Sequence, residues 1–150
     1  MSATTDLADL IRARLLTPPA TGEIPTLLDL THLDVIIYRQ QTLTATVEAA
    51  IGKASGCAIL IEWNGFKVTD ENTSRPRLAE SYQISVYSKP IIDAGNYPAE
   101  LVIKSILLRL WHWRPQVDHV FGEAKPANGG VMPSKQYLIY DCTVTIPISL

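Results

Sequence analysis

The sequence has no apolar run that could cross a bilayer; stretches such as residues 57–61 and 106–108 fall far short of the roughly 20 residues a membrane helix needs. It also lacks a charge excess. Lysine and arginine number 13 against 15 acids, and like charges never cluster beyond two or three residues, which removes the footprint of a nucleic-acid binder or a polybasic membrane patch. The amino-terminal MSATTDLADLIRARLL has neither the early positive charge nor the apolar centre of a signal peptide, so a cytoplasmic start is expected. Cysteine is scarce. Cys57 and Cys142 sit in apolar, strand-like segments without CxxC spacing, and read as small buried hydrophobes in a reducing compartment. Nor does the chain contain GxGxxG, a P-loop or GxSxG, so no cofactor is implied.

What is present fits one globular domain, since 150 residues are enough to bury a substantial core. Leu7, Leu10, Ile11 and Leu15 recur at helical spacing and predict a first helix from about Asp6 to Leu16, with Thr4 or Thr5 as its cap. Pro18, Pro19 and Pro25 then force an extended connector. LDVIIYRQ (33–40) reads as a strand and LTATVEAAIGKASG (43–56) as a second helix. CAILIEW is apolar at consecutive positions, as in a central strand covered on both faces. SYQISVYS alternates, and QYLIYDCTVTIPI places Leu138, Tyr140, Cys142, Val144 and Ile146 on one face of a long final strand. The expected fold is α+β: a mainly antiparallel sheet with two to three helices packed on it.

The most distinctive stretch is YPAELVIKSILLRLWHWRP (97–115). Ala99, Val102, Ile103, Ile106, Leu107, Leu110 and Trp113 form a broad helical stripe expected to face the sheet. Leu101 and Leu108 lie on the far side near His112, with Trp111 at the border. A helix apolar on more than one side is buried twice within its own domain or covered by another chain. Trp111 and Trp113 cannot share a face of a regular turn, which argues for one core indole and one near an edge or interface.

Each candidate for chemistry has a plainer competitor. His112 has no local serine, cysteine or carboxylate that would make it a catalytic base. Asp29, His32 and Asp34 are close enough in sequence to suggest a divalent metal, but a capped turn explains DLTHLD with fewer assumptions. ANGG (127–130) reads as a flexible turn. Residues 64–77, opening on the turn-forming pair Asn64-Gly65, and residues 122–135, rich in glycine and proline, read as long loops; the first suggests a protruding hairpin or arm. Each carries isolated apolar residues in a polar setting, as loops that order against a partner do.

The order of elements, from the amino-terminal helix through ILIEWNG, YQISVYSKP and PAELVIKSILLRLWHW to the final strand, resembles the tail-terminator and tail-completion proteins of long-tailed phages and phage-derived injection particles. The resemblance covers nearly the whole chain and rests on layout rather than a motif. It implies a structural protein of the virion tail, not an enzyme, assembled in the bacterial cytoplasm. Such proteins form a ring, typically hexameric, that caps the tail tube, stops its polymerisation and joins it to the neck or head. The implied partners are further copies of the chain, the tail-tube protein and a neck or head-completion protein. Interface candidates are Phe66, Lys67, Val68, Arg75 and Arg77 on the first long segment and Lys125, Val131, Met132 and Lys135 on the second. Leu101, Leu108 and Trp111 join them from the helix. The alternatives are a small-ligand or enzymatic domain with its pocket near Trp111, His112 and Trp113, assisted by Asp118 and His119, and another ring or baseplate component of the same particle.

Overall fold

In the computed structural model, which describes residues 3–38, 57–70, 77–88, 99–116, 121–133 and 138–148, the first apolar spacing becomes helix α1, Ala3–Leu16. Leu7, Ile11 and Leu15 are buried and Leu10 packs beside them. The helix starts ahead of Asp6, so Thr4 and Thr5 lie inside its first turn instead of capping it. Strand β1, Asp34–Ile37, lies within the expected strand, whose last two residues, 39 and 40, are outside the described residues. The helix expected over 43–56 lies outside the described residues. Strands β2 (Cys57–Asp70) and β3 (Arg77–Ser88), helix α2 (Ala99–Leu110), and strands β4 (Lys125–Pro133) and β5 (Leu138–Ile148) follow.

The five strands form one mixed sheet in the order β1-β2-β3-β5-β4. Only β1 and β2 run parallel; the other three pairings are antiparallel, so the mainly antiparallel α+β architecture holds. Phe121 adds an isolated antiparallel bridge to Ile148. Cross-strand register explains the core. Ile59, Val86 and Tyr140 form one row, Ile61, Ile84 and Cys142 the next, and Tyr82 with Val144 a third. Directly paired residues project to the same face, and this face meets Val102, Ile106 and Leu110 of α2 and the leucine stripe of α1 in one continuous core. Burial of each such aliphatic side chain contributes about 1.5–3 kcal/mol. Ala58 and Leu60 point the other way and are buried as well, which matches the uninterrupted apolar run at the start of β2.

Both segments expected as long loops contain strand. Residues 64–70 continue β2 and pair with β3, as the protruding-hairpin reading expects, with 71–76 outside the described residues; residues 122–133 contain β4, an edge strand paired along its length with β5, which corrects the second loop, with 134 and 135 outside the described residues. ANGG is therefore strand, with a bulge between Ala127 and Gly129, and not a flexible turn. Its glycines and flanking prolines disguise it, because an edge strand tolerates residues that a central strand excludes.

Candidate functional site

Asn64-Gly65, expected to make a tight turn, instead forms a bulge within β2. Trp63 pairs with Tyr82 and Phe66 with Glu80, so three steps on β2 oppose two on β3. Gly65 accommodates the extra residue at φ 97°, a conformation that a side chain disfavours. The bulge has a consequence for side-chain direction. Trp63 and Phe66 would face opposite ways on a regular strand; the inserted residue returns Phe66, and then Val68, to the face that Trp63 shares with Tyr82. The core face thus continues past Tyr82 as a row of large apolar groups, with Trp63 47%, Phe66 59% and Val68 49% exposed. Glu80, paired with Phe66, shares this face, and its Oε2 accepts a hydrogen bond from Trp63 Nε1 at 2.6 Å. Lys67 is exposed on the opposite face.

The second feature lies beyond α2. The helix ends at Leu110, before the two tryptophans, and His112 turns the chain through the left-handed region at φ 56° while Trp113 N–H donates to the Leu110 carbonyl at 3.2 Å. This reversal separates the indoles. Trp113 packs against the core and Trp111 stays 50% exposed, edge-on to the His112 ring. His112 Nδ1 lies 2.9 Å from Glu123 Oε2, which holds the Glu123 carboxyl below its usual range. Ala124 N–H also donates to the Trp113 carbonyl, so the turn is tied twice to the segment that leads into β4.

Beside this turn, three charged groups interlock. Arg109 is 2% exposed; its guanidinium donates to the carbonyls of Thr17 and Pro18 and pairs with Glu23. Arg14 donates to the Arg109 carbonyl, bridges Glu23 at 2.8 Å and lies over the Trp113 ring. The Ala20 N–H bond, followed by that to Arg14, pushes the Glu23 carboxyl down to about 2. Nearby, Ser105 Oγ accepts the Leu28 N–H, fastening the proline-containing connector to α2. A cleft of about 490 Å³ opens between connector and turn, lined by Arg14, Glu23, Ile24, Leu108, Trp111 and Arg114 among others.

Of the residues singled out in the sequence, Phe66, Val68, Trp111 and Val131 are exposed apolar groups, and Lys67 and Lys125 are exposed cations. Leu101 and Leu108 are only half-buried, so the second apolar side of α2 exists but is narrow. Arg77 and Met132 hold strand positions opposite Asp70 and Ile139, and their side chains lie outside the described set. Arg75, Asp118, His119 and Lys135 lie outside the described residues altogether. DLTHLD is a capped turn: Asp29 Oδ1 accepts from both the backbone and the hydroxyl of Thr31, with His32 exposed beside it. Cys57 and Cys142 are buried free thiols, and burial pushes both up to about 12.

Sequence reasoning missed Trp63, Ile24, Glu23, Arg14 and Glu123 as members of exposed surfaces, and Arg109 and Ser105 as buried polar anchors. The bulge hid the alignment of Trp63 with Phe66; Arg109 and Ser105 find their partners 86 and 77 positions away, and the Arg14–Glu23 and His112–Glu123 pairs form across a connector and a turn that have no helical or strand period. No protein-family model matches the chain and no curated protein matches it in sequence, so the functional reading rests on the geometry of these two surfaces.

Proposed function

We propose that this chain is a structural assembly protein of a phage or prophage tail. It forms a ring, hexameric by resemblance, that caps the tail tube, stops its polymerisation and provides the joint to the neck or head. The observation that carries the reading is the row of Trp63, Phe66 and Val68, three large apolar side chains about half exposed on a paired strand. Contiguous apolar surface of this kind marks contact with another macromolecule. Its placement supports a rigid docking element, because the hydrogen-bonded hairpin holds the row before any partner arrives. The chain would assemble in the host cytoplasm, with further copies of itself, the tail-tube protein and a neck or head-completion protein as partners.

The test is the solution mass of the purified protein by light scattering over a concentration series, with and without tail-tube protein from the same genome. Tube-dependent assembly or a closed ring at high concentration is expected. A strict monomer indifferent to tube protein would overturn the proposal. Another ring or baseplate element of the same particle would use similar contacts, and binding to the tube end instead of the baseplate separates the two.

A second reading is favoured by one observation, the 490 Å³ cleft with His112 in its lining, the His112 ring being paired with the Glu123 carboxylate. It makes the protein a small-ligand or enzymatic domain. In that case His112→Ala abolishes ligand binding or turnover, whereas Leu101→Asp, which would weaken a subunit interface and lies outside the cleft lining, leaves it intact.

A further inference from the structure

The chain holds four asparagines, and two of them, Asn64 and Asn128, are followed by glycine. A glycine in that place leaves the next peptide nitrogen unshielded by a β-carbon, so the nitrogen can reach the carbonyl carbon of the asparagine side chain. Both dipeptides lie at bulges, and the bulges differ. Between Ala127 and Gly129 the extra residue is Asn128, while Gly129 stands in register with Cys142, and its β-carbon position is 3.7 Å from the Asp141 carbonyl oxygen. Between Trp63 and Phe66, Asn64 and Gly65 together oppose Ser81, and neither is in register with a residue of β3. Asn64 is exposed, and no atom lies within 4 Å of the β-carbon position of Gly65. Solvent base and water therefore reach the dipeptide, and the space beside its backbone is open.

We infer that Asn64 is a modification site at which the folded chain converts its own side-chain amide to a carboxylate. The Gly65 nitrogen gives its proton to solvent base and attacks Asn64 Cγ. The new N–Cγ bond closes a succinimide ring as the Cγ–Nδ2 bond breaks and Nδ2, taking a proton from solvent, leaves as ammonia. One water then opens the ring. Addition at Cγ breaks the new bond and gives aspartate; addition at the α-carbonyl breaks the original peptide bond and gives isoaspartate, whose main chain runs through the former side chain. Nothing is oxidised or reduced, and water and base are the only co-reactants. Either product places a carboxylate between Trp63 and Phe66, and isoaspartate also adds a main-chain carbon to the bulge that aligns them. Ring closure needs the backbone to rotate, which registered pairing restrains at Gly129 and the unregistered step at Gly65 does not. The fold thus makes two identical dipeptides unequal, whatever the chain assembles with.

The test follows both sites in the full chain, held at mildly alkaline pH in heavy-oxygen water, once folded and once unfolded in guanidinium. Peptide mass mapping reads the amide-to-acid exchange, and labelling by an isoaspartyl methyltransferase reads the rearranged product. In the folded chain Asn64 is expected to take up heavy oxygen and yield isoaspartate several-fold faster than Asn128; in the unfolded chain the two should convert at similar rates. Retention of Asn64 in the folded chain while the unfolded chain converts would overturn the inference. Equal conversion of both sites in the folded chain would overturn it too, since the dipeptide and not the bulge would then set the rate. Gly65→Ala restores a β-carbon beside the attacking nitrogen and should slow conversion at Asn64 several-fold in the unfolded chain, where the strain of the bulge plays no part. An unchanged rate there would exclude that nitrogen as the attacking group.

Discussion

The indole N–H of Trp63 donates to Glu80 Oε2 across the β2–β3 pair, at 2.6 Å and along the diagonal from Tyr82, the residue opposite Trp63. It fixes one edge of the exposed apolar row and leaves the indole face free. Because Trp63 is exposed and Glu80 only half-buried, loss of this bond costs the fold little: Glu80→Ala should lower stability by about 0.5–1.5 kcal/mol in urea denaturation. Assembly should fall much more than stability does, and equal loss in both would mean that the pair serves only the fold.

Gly65 carries the geometry of that row. At φ 97° a β-carbon is strained although no atom lies within 4 Å of where it would sit, so Gly65→Ala should destabilise by about 1 kcal/mol. Deleting Gly65 leaves two steps on β2 against two on β3, so the bulge is lost while Phe66 and Val68 keep the face of Trp63. Thermal denaturation measures the first effect; unchanged iodide quenching of Trp63 and retained assembly are the expected result of the second.

Trp113 and Trp111 should behave differently despite their spacing. Trp113→Ala removes an indole packed on the core and stacked beneath Arg14, and should cost about 2–4 kcal/mol. Trp111→Ala removes a half-exposed ring and should cost less than about 1 kcal/mol. Equal losses would show that the left-handed turn at His112 does not separate the two rings in solution.

Arg109 is an inward-facing cation that completes the hydrogen bonding of Thr17 and Pro18. Arg109→Ala leaves those carbonyls without their donor and should destabilise by about 2–4 kcal/mol. Lys104, an exposed neighbour on the same helix paired with Glu100, provides the control; Lys104→Ala should stay within about 0.5 kcal/mol.

Glu23 gives the fold a defined acid response. Its carboxyl titrates at about 2 in the folded chain, below the ordinary value of 4.5, so its contribution to stability is complete above pH 4.5 and fades as the pH falls from there towards 2. Glu23→Gln should therefore lower stability at neutral pH and flatten its decline across that window. A decline unchanged in the variant would place the acid sensitivity on other carboxylates.

The sequence by itself determined the local elements whose periodicity was uninterrupted: α1 through Leu7, Ile11 and Leu15, α2 through Val102, Ile106 and Leu110, and the alternating strands around Tyr82, Ile84, Cys142 and Val144. Those residues repeat at the period of the backbone that carries them, so one side of each element could be assigned without knowing its neighbours. Tertiary structure decided everything that depended on an irregularity or on distance along the chain. A single extra residue at Asn64-Gly65 turned an apparent turn into a bulge and aligned Trp63 with Phe66. Pairing with β5 turned the glycine-rich ANGG segment into strand. The union of Arg14, Glu23 and Arg109 joins residues more than eighty positions apart, a charge cluster that exists only once the connector lies across the end of α2.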